Sequence, residues 1–506
     1  MNTKLLKQKI LDLAIRGKLT QQLKSDGTAA DLLKEICDRT QEKTSLRAKR
    51  GNPSPQTIIP LDKNEAPFEI PANWEWVRLG DVASDFQYGS AEKSQPEGKI
   101  AVLRMGNINR QGQVDYSDLV YTSNDAEIAK YLLNKNDVLF NRTNSPEWVG
   151  KTAIYKGEIP AIYAGYIIRI KPHFNSDYLN YLMCSDYERN WSKEVKTDGV
   201  HQSNINAQKL MAFAVPLPPL AEQQRIVEKI QEAFAEIDSI ENNKELLKTH
   251  IKQARQKILD LAIHGKLVPK NKIDEPASVL LERITRDNPH YEKLRLDERR
   301  ETKDERNFKD KCHSRENGNL LTISKDEIPF DIPENWVWCR LGNLSESIQY
   351  GYNAPAKDSG RIKMVRISDI HENEVEWNSV PYCDIDEKEI QTYLLKKNDI
   401  LFARTGGTVG KSFIVDNLPE DAVYAGYLIR TRYGKNANAQ YMKYFMESNL
   451  YWGQLRDGCI ATAQPNCNGK TLGKMKIPLP PLNEQSRIVA KIEELFTELD
   501  LILQNT

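Results

Sequence analysis

Two short stretches of this 506-residue chain carry the residue types of a phosphate site, Gly150-Lys151-Thr152 and Gly410-Lys411-Ser412. A phosphate-cradling P-loop also needs a glycine five residues before the second glycine, so that backbone N–H groups can wrap the phosphates, and those positions hold Ser145 and Thr405. Neither stretch is a P-loop. No glycine-rich dinucleotide turn follows a strand with an acidic residue at the right distance, which disfavours S-adenosylmethionine binding by this chain. No Ser/His/Asp or Cys/His set recurs, and only seven histidines exist. The seven cysteines (Cys37, Cys184, Cys312, Cys339, Cys383, Cys459 and Cys467) include no CxxC and no Cys/His cluster at zinc spacing, so they read as reduced thiols in or near cores. The sequence shows no catalytic machinery, no cofactor site and no metal site.

What does recur is a set of polar residues in loop positions. Gln87-Tyr88-Gly89 returns as Gln349-Tyr350-Gly351, Arg104 as Arg366, and Asn141-Arg142-Thr143 as Ala403-Arg404-Thr405. Lys151 returns as Lys411, and Gln202, Asn204 and Asn206 return as Gln464, Asn466 and Asn468. Arginine and lysine pair with guanine edges and asparagine and glutamine with adenine edges in the major groove, so these are candidate DNA contacts. Ser90 and Tyr352, next in line after the two glycines, join them. The same residues can also serve structure: Arg142 and Arg404 can brace a turn, and the tyrosines can be core residues with a bonded hydroxyl. Residues shared by both copies suit phosphate contacts or architecture, because two half-sites usually differ in sequence while positioning contacts need not. Base readers are then expected where the copies diverge, Ser90 to Gly98 against Tyr352 to Gly360 and Asn144 to Val149 against Gly406 to Val409.

These residues sit in an internal repeat. QKILDLAIRGKL at 8–19 recurs as QKILDLAIHGKL at 256–267, an offset of 248 with one difference. PFEIPANWEWVRLGDV at 67–82 matches PFDIPENWVWCRLGNL at 329–344 at an offset of 262, as do YLLNKNDVLFNRT with YLLKKNDILFART and LPPLAEQQRIV with LPPLNEQSRIV. The 14 extra residues of the second copy fall in a charge-dense linker around YEKLRLDERRETKDERNFKDK, expected to be a solvated hinge rather than a nucleic-acid arm. Thr506 aligns with Lys244 and Met1 with Thr249, so the sequence is nearly cyclic, and the expectation is a molecule with neighbouring termini and approximate two-fold symmetry.

The elements that must position the candidates follow from periodicity. Residues 220 to about 266 run without proline, with apolar residues from Ile226 to Leu261 mostly three or four apart, which predicts a long helix. Ile488, Ile492, Leu495, Leu499 and Ile502 repeat the pattern, and the two stripes are expected to pack as an antiparallel coiled coil. At about 1.5 Å per residue such a helix spans roughly 60 Å, a ruler for at most roughly 17 base pairs. Short alternating runs such as IAVLRMGNI, KNDVLF, GKTAIY and AIYAGYIIRI predict strands of mixed sheets, while YLNYLMCSDYERNW and QYMKYFMESNLYWGQL predict core helices. The fold class is α/β (α+β): two globular recognition domains, at 20–218 and 268–480, separated by two long helices at 219–267 and 481–506, with residues 1–19 completing the spacer as a pseudo-two-fold tandem repeat.

Composition bounds the partners. Seventy-one basic residues balance 71 acidic ones, so any DNA-facing surface must be local rather than a general polyanion coat. No apolar run approaches a membrane span, and the amphipathic lysine-bearing start lacks a signal peptide's core and cleavage site, so a cytoplasmic location without membrane contact is expected.

The order of the NWxWxRLG box, the LFxRT turn, the PLPPL-EQ-RIV box and the KILDLAI-GKL helix, each present twice, resembles the specificity subunits of Type I restriction-modification systems. The resemblance covers essentially the whole chain. It implies a non-catalytic protein with two target recognition domains that read a split, asymmetric sequence on double-stranded DNA. It also implies docking of two methyltransferase subunits, which supply S-adenosylmethionine and methylate adenine, and of restriction/translocase subunits that use ATP and Mg. One departure is NSPEWVGK in the first copy against GGTVGK in the second. The competing classes are a DNA methyltransferase or nuclease with a cryptic site and a coiled-coil DNA-binding regulator without enzymatic partners; co-purification with methyltransferase chains separates the regulator from the specificity subunit.

Overall fold

The computed structural model describes residues 2–47, 58–62, 65–199, 202–288, 323–371, 374–458 and 466–505. The expected linker at 291–311, and Gln464, Cys312 and Cys459, lie outside the described residues. The chain divides into two compact units, Met1–Asn243 and Lys244–Thr506.

In the first unit a four-stranded sheet runs in the order Ala83–Tyr88, Ile167–Pro172, Val138–Asn141, Thr152–Ile154. Its strand Val138–Asn141 is buried throughout because both faces are covered. Period-two alternation sends Val138 and Phe140 into a core shared with the helices, and Leu139 into a second core shared with a three-stranded sheet. That second sheet has Ile100–Leu103 in the middle, antiparallel to Val120–Thr122 and parallel to Ala161–Tyr163. A ribbon pairs Glu75–Arg78 with Ala214–Leu217.

The second unit has the same three assemblies in the same strand order. Ser345–Tyr350, Leu428–Tyr433, Ile400–Ala403 and Ser412–Ile414 form the four-stranded sheet. Ile362–Val365 lies between Tyr382–Cys383 and Ala422–Tyr424, and Val337–Arg340 pairs with Lys476–Leu479. Even the turn into the central strand repeats, with Asn136 at φ 72° and Asn398 at φ 70°, a left-handed conformation that asparagine tolerates better than most residues.

The predicted long helix spans Leu220–Ile263, 44 residues and roughly 66 Å at about 1.5 Å per residue. Within the first unit it meets the helix Thr3–Ile15, with Thr3 on Glu241 and Lys7 on Asp238, so numbering falls on one helix as it rises on the other. Lys7 also lies over Phe234. Within the second unit the same roles fall to Arg255 and the helix Leu482–Gln504: Arg255 pairs with Asp500 at 2.5 Å and lies 4.6 Å from the Phe496 ring centroid. The two predicted core helices each break in two, Ser176–Met183 with Asp186–Val195 and Ala439–Phe445 with Asn449–Gly458. Ser185 causes the first break, since its hydroxyl accepts from the Glu188 N–H and caps a new helix.

The repeated boxes close each unit. Glu222 is buried, and its carboxylate accepts from Trp74 Nε1 at 2.9 Å and Gln22 Nε2 at 2.9 Å. Gln223 accepts from the Asn175 N–H at 2.9 Å and donates to the Pro218 carbonyl at 2.8 Å, and Arg225 pairs with Asp26 at 2.6 Å. Gln485 and Arg487 repeat these contacts on Asn438, Pro480 and Asp274. The glycine of each GKL turn has φ +66°, and a Cβ there would collide with Pro71 in one unit and Pro333 in the other. Among the described residues no helix is long and apolar enough to cross a membrane.

Candidate nucleic-acid interface

Tyr88 ends the edge strand of the four-stranded sheet, and Arg142 follows the central strand at the same end. The Arg142 guanidinium lies 4.6 Å from the centroid of the exposed Tyr88 ring, whose hydroxyl accepts from the Ala207 N–H at 3.0 Å. In the second unit Arg404 lies 4.8 Å from the exposed Tyr350 ring, and that hydroxyl accepts from the Gly469 N–H at 2.9 Å. The Nε of each arginine is buried and without a hydrogen-bond partner among the described residues, and no described carboxylate pairs with either. An unneutralised cation fixed on an aromatic face is a ready anion contact, with a flat surface beside it for stacking.

A second exposed tyrosine adjoins each pair. The Arg142 N–H donates to the Tyr166 carbonyl at 3.0 Å and the Arg404 N–H to the Tyr427 carbonyl at 3.2 Å. Tyr166 is 50% exposed and Tyr427 64%, while Tyr163 and Tyr424, the first tyrosines of the same YAGY motifs, are fully buried. Tyr166 and Tyr427 were not among the sequence candidates, although the repeated YAGY carried the signal.

The divergent loop at 144–149 carries Trp148, 45% exposed, with Arg110 at 4.8 Å and Lys151 at 5.1 Å from its ring. Burial lowers the Arg110 and Lys151 pKa values, and repulsion adds to it, from Arg189 on Arg110 and from Arg110 on Lys151. The loops of the two units are anchored alike: the Gly150 N–H donates to the Asn141 carbonyl at 3.0 Å, and Gly410 to Ala403 at 2.9 Å. The departure NSPEWVGK against GGTVGK is therefore confined to the excursion between equivalent anchors. In the second unit that excursion is the open turn Gly406–Thr408.

Most other sequence candidates are engaged by the fold, some buried and some at the surface. The Gln87 side-chain oxygen accepts from Arg169 at 2.6 Å and Tyr163 at 3.1 Å, and the Gln349 side chain accepts from Arg430 at 2.6 Å. Gly89 and Gly351 permit close approach, since a Cβ would strike the carbonyls of Tyr163 and Ala164, or of Ala425 and Tyr424. Ser90 is buried on Glu127, and Tyr352 packs 5.2 Å from Tyr393. Arg104 pairs with Asp118 at 2.9 Å and Arg366 with Asp369 at 2.7 Å. Lys151 donates to the Met105 and Ile108 carbonyls at 3.1 and 2.5 Å, whereas Lys411 is exposed. Thr143 accepts from Asn204 at 2.7 Å, Thr405 bridges to Asn466, and Gln202 is exposed. Asn206 and Asn468 cap short helices. Asn141 is buried, and neither side-chain polar atom has a partner among the described residues.

The chain belongs to the family defined by the Type I restriction modification DNA specificity domain, which it matches at residues 71–249 and 333–505. Among its relatives is the Type I restriction enzyme EcoAI specificity subunit of Escherichia coli, 25% identical over 97% of this chain and 89% of the relative. The putative type I restriction enzyme MjaX specificity subunit of Methanocaldococcus jannaschii is 31% identical over 41% of this chain and 50% of the relative. A solved chain from a type I R-M system shares the fold with a TM-score of 0.53 at 16% identity, covering 87% of this chain and 94% of that one.

Proposed function

We propose that this chain is the specificity subunit of a Type I restriction-modification complex, in which each unit binds one part of a split DNA target. The observation that carries the reading is the unpaired Arg142 on Tyr88 and its repetition as Arg404 on Tyr350. Repetition in both units suits phosphate and sugar contacts, which position the protein without reading sequence. Base edges are read by the divergent loops at 144–149 and 406–409, with Tyr166 and Tyr427 beside the arginines. Thr405, Lys411, Gln202 and Asn466 remain contact candidates, while Gln87, Gln349, Gly89 and Gly351 support the site from within, and Arg104 and Arg366 are paired at the surface. The two recognition domains form a pseudo-two-fold tandem repeat, and the long helices act as a coiled-coil spacer that sets the gap. Two methyltransferase subunits and restriction/translocase subunits dock on the chain, bringing S-adenosylmethionine, ATP and Mg; the chain itself holds no cofactor.

Mapping methylated adenine across the genome with and without this gene, the neighbouring methyltransferase kept intact, tests the reading. Loss of methylation at one asymmetric two-part motif is the expected result. An unchanged map with the complex expressed refutes it in favour of a DNA-binding regulator.

A further inference from the structure

A cavity of about 450 Å³ lies in the second unit behind the loop that follows Arg404, within the range of small-molecule sites. Its walls combine an aliphatic side, which includes Ile367, Leu401 and Leu428, with Phe413 and Trp452 as aromatic surfaces and a polar side that includes the exposed Lys411. Ser412 also lines it, is only 7% exposed, and its Oγ has no hydrogen-bond partner among the described residues. A buried hydroxyl without a partner is destabilising relative to a satisfied one, so this wall is incomplete as it stands. Buried Lys443 and half-buried Glu447 also line the cavity and pair with each other, so the Glu447 carboxylate is already engaged by a cation.

The first unit offers a comparison, because its side chains at the matching positions differ. Asn141 stands where the cavity has Ala403, and Lys151 turns inward onto the Met105 and Ile108 carbonyls. Thr152, the counterpart of Ser412, satisfies its hydroxyl on the Gly150 carbonyl at 3.1 Å. Two units with the same strand order therefore differ here: in the first the lysine turns inward and the threonine hydroxyl is satisfied, while in the second the lysine is exposed and the serine hydroxyl has no partner among the described residues.

We propose that the second-unit cavity binds a nucleobase carrying a phosphate, with the planar ring between the aliphatic wall and the Phe413 and Trp452 surfaces, the Ser412 hydroxyl paired to a ring heteroatom, and Lys411 near the phosphate. A hydroxyl donates and accepts equally well, so discrimination among bases is weak. The base has two sources, a free mononucleotide or a base swung out of the duplex, and the second rests on the DNA-reading function proposed above. Extrusion gives up base pairing and stacking, and contacts within such a pocket offset that loss.

Saturation-transfer NMR on the full chain with adenosine and thymidine 5′-monophosphates tests the first source, and 2-aminopurine fluorescence at each position of a bound target duplex tests the second. Either a mononucleotide Kd below about 1 mM, or a 2-aminopurine increase at one position on binding, supports the site. The signal must be lost in Ala403→Phe, which fills the cavity, and weakened about fivefold or more in Ser412→Ala, which leaves the volume almost unchanged. Absence of both signals, or signals indifferent to both variants, overturns the proposal. Anisotropy on the same duplex keeps the two readings apart: retained duplex binding without either signal removes only the cavity, whereas no duplex binding removes the DNA-reading function.

Discussion

Replacing Arg142 and Arg404 by alanine, singly and together, tests whether the arginine–tyrosine pairs hold phosphates. Each substitution removes an exposed cation–π contact of about 0.5–1 kcal/mol, too little to unfold a unit. If each guanidinium neutralises one phosphate, each loss lowers the slope of log affinity against log salt by about 0.9. Between about 50 and 200 mM salt, a fourfold change, one contact accounts for about a 3.5-fold difference in affinity and the pair for about twelvefold. At the lower salt each variant also loses a charge-assisted hydrogen bond of about 1.5–3 kcal/mol, or about 10- to 150-fold in Kd. The assay is fluorescence anisotropy with a duplex bearing the methylation-mapped target and with one of scrambled sequence. Positioning contacts predict the same loss on both duplexes, and Arg→Lys predicts recovery of the salt slope with incomplete recovery of affinity, because a point charge cannot reproduce the fork. Single variants that keep the wild-type slope, or that lose affinity only for the specific duplex, refute the phosphate assignment.

Three further outcomes follow from geometry already described. Glu188 is fully buried, accepts from Ser192 at 2.5 Å, and burial pushes its carboxyl from 4.5 up to about 8. The folded chain thus keeps a proton that the unfolded chain releases, so stability falls as pH rises from about 4.5 to about 8, by at most about 1.4 kcal/mol per pH step, and is level above. Glu188→Gln should flatten the melting-temperature profile between about pH 5.5 and 8, and parallel profiles for variant and wild type would contradict this. Gly265→Ala, at φ +66° and against Pro333, should cost about 1–2 kcal/mol from backbone conformation alone and more from the collision; chemical denaturation without a change in midpoint would be the adverse result. Trp74→Phe removes one of the two 2.9 Å donors to the buried Glu222 and should cost about 1–3 kcal/mol by the same measurement, against no change if that bond contributes nothing.

Much of the scaffold was legible because it is written twice. The boxes that recur almost letter for letter hold Trp74, Gln223, Arg225 and Gly17, which fasten the start of the long helix and the GKL turn to the rest of the first unit. The strands announced themselves through runs such as KNDVLF, whose asparagine takes the positive φ the turn requires. The candidate site was legible by residue type but not by arrangement. Gln87 looked as suitable for adenine as any glutamine, and nothing local shows that Arg169, far along the chain, occupies its oxygen. Tyr88 and Arg142 were both singled out, yet their stacking depends on two strands being brought to one sheet end. The tyrosines of YAGY are chemically identical in sequence, and only the isolated bend between two strands buries one and exposes the other.

Each unit is one continuous stretch of chain that contains both members of its own helix contact, Lys7 with Asp238 in the first and Arg255 with Asp500 in the second. This has a kinetic consequence during synthesis. The sequences at 8–19 and 256–267 are nearly interchangeable, so a chain refolding from the fully denatured state offers two competitors for each docking groove. A nascent chain does not. By the time residue 243 has left the ribosome the first helix has its partner, and its near-twin is still held inside the exit tunnel, so vectorial emergence sorts two elements that sequence alone barely distinguishes.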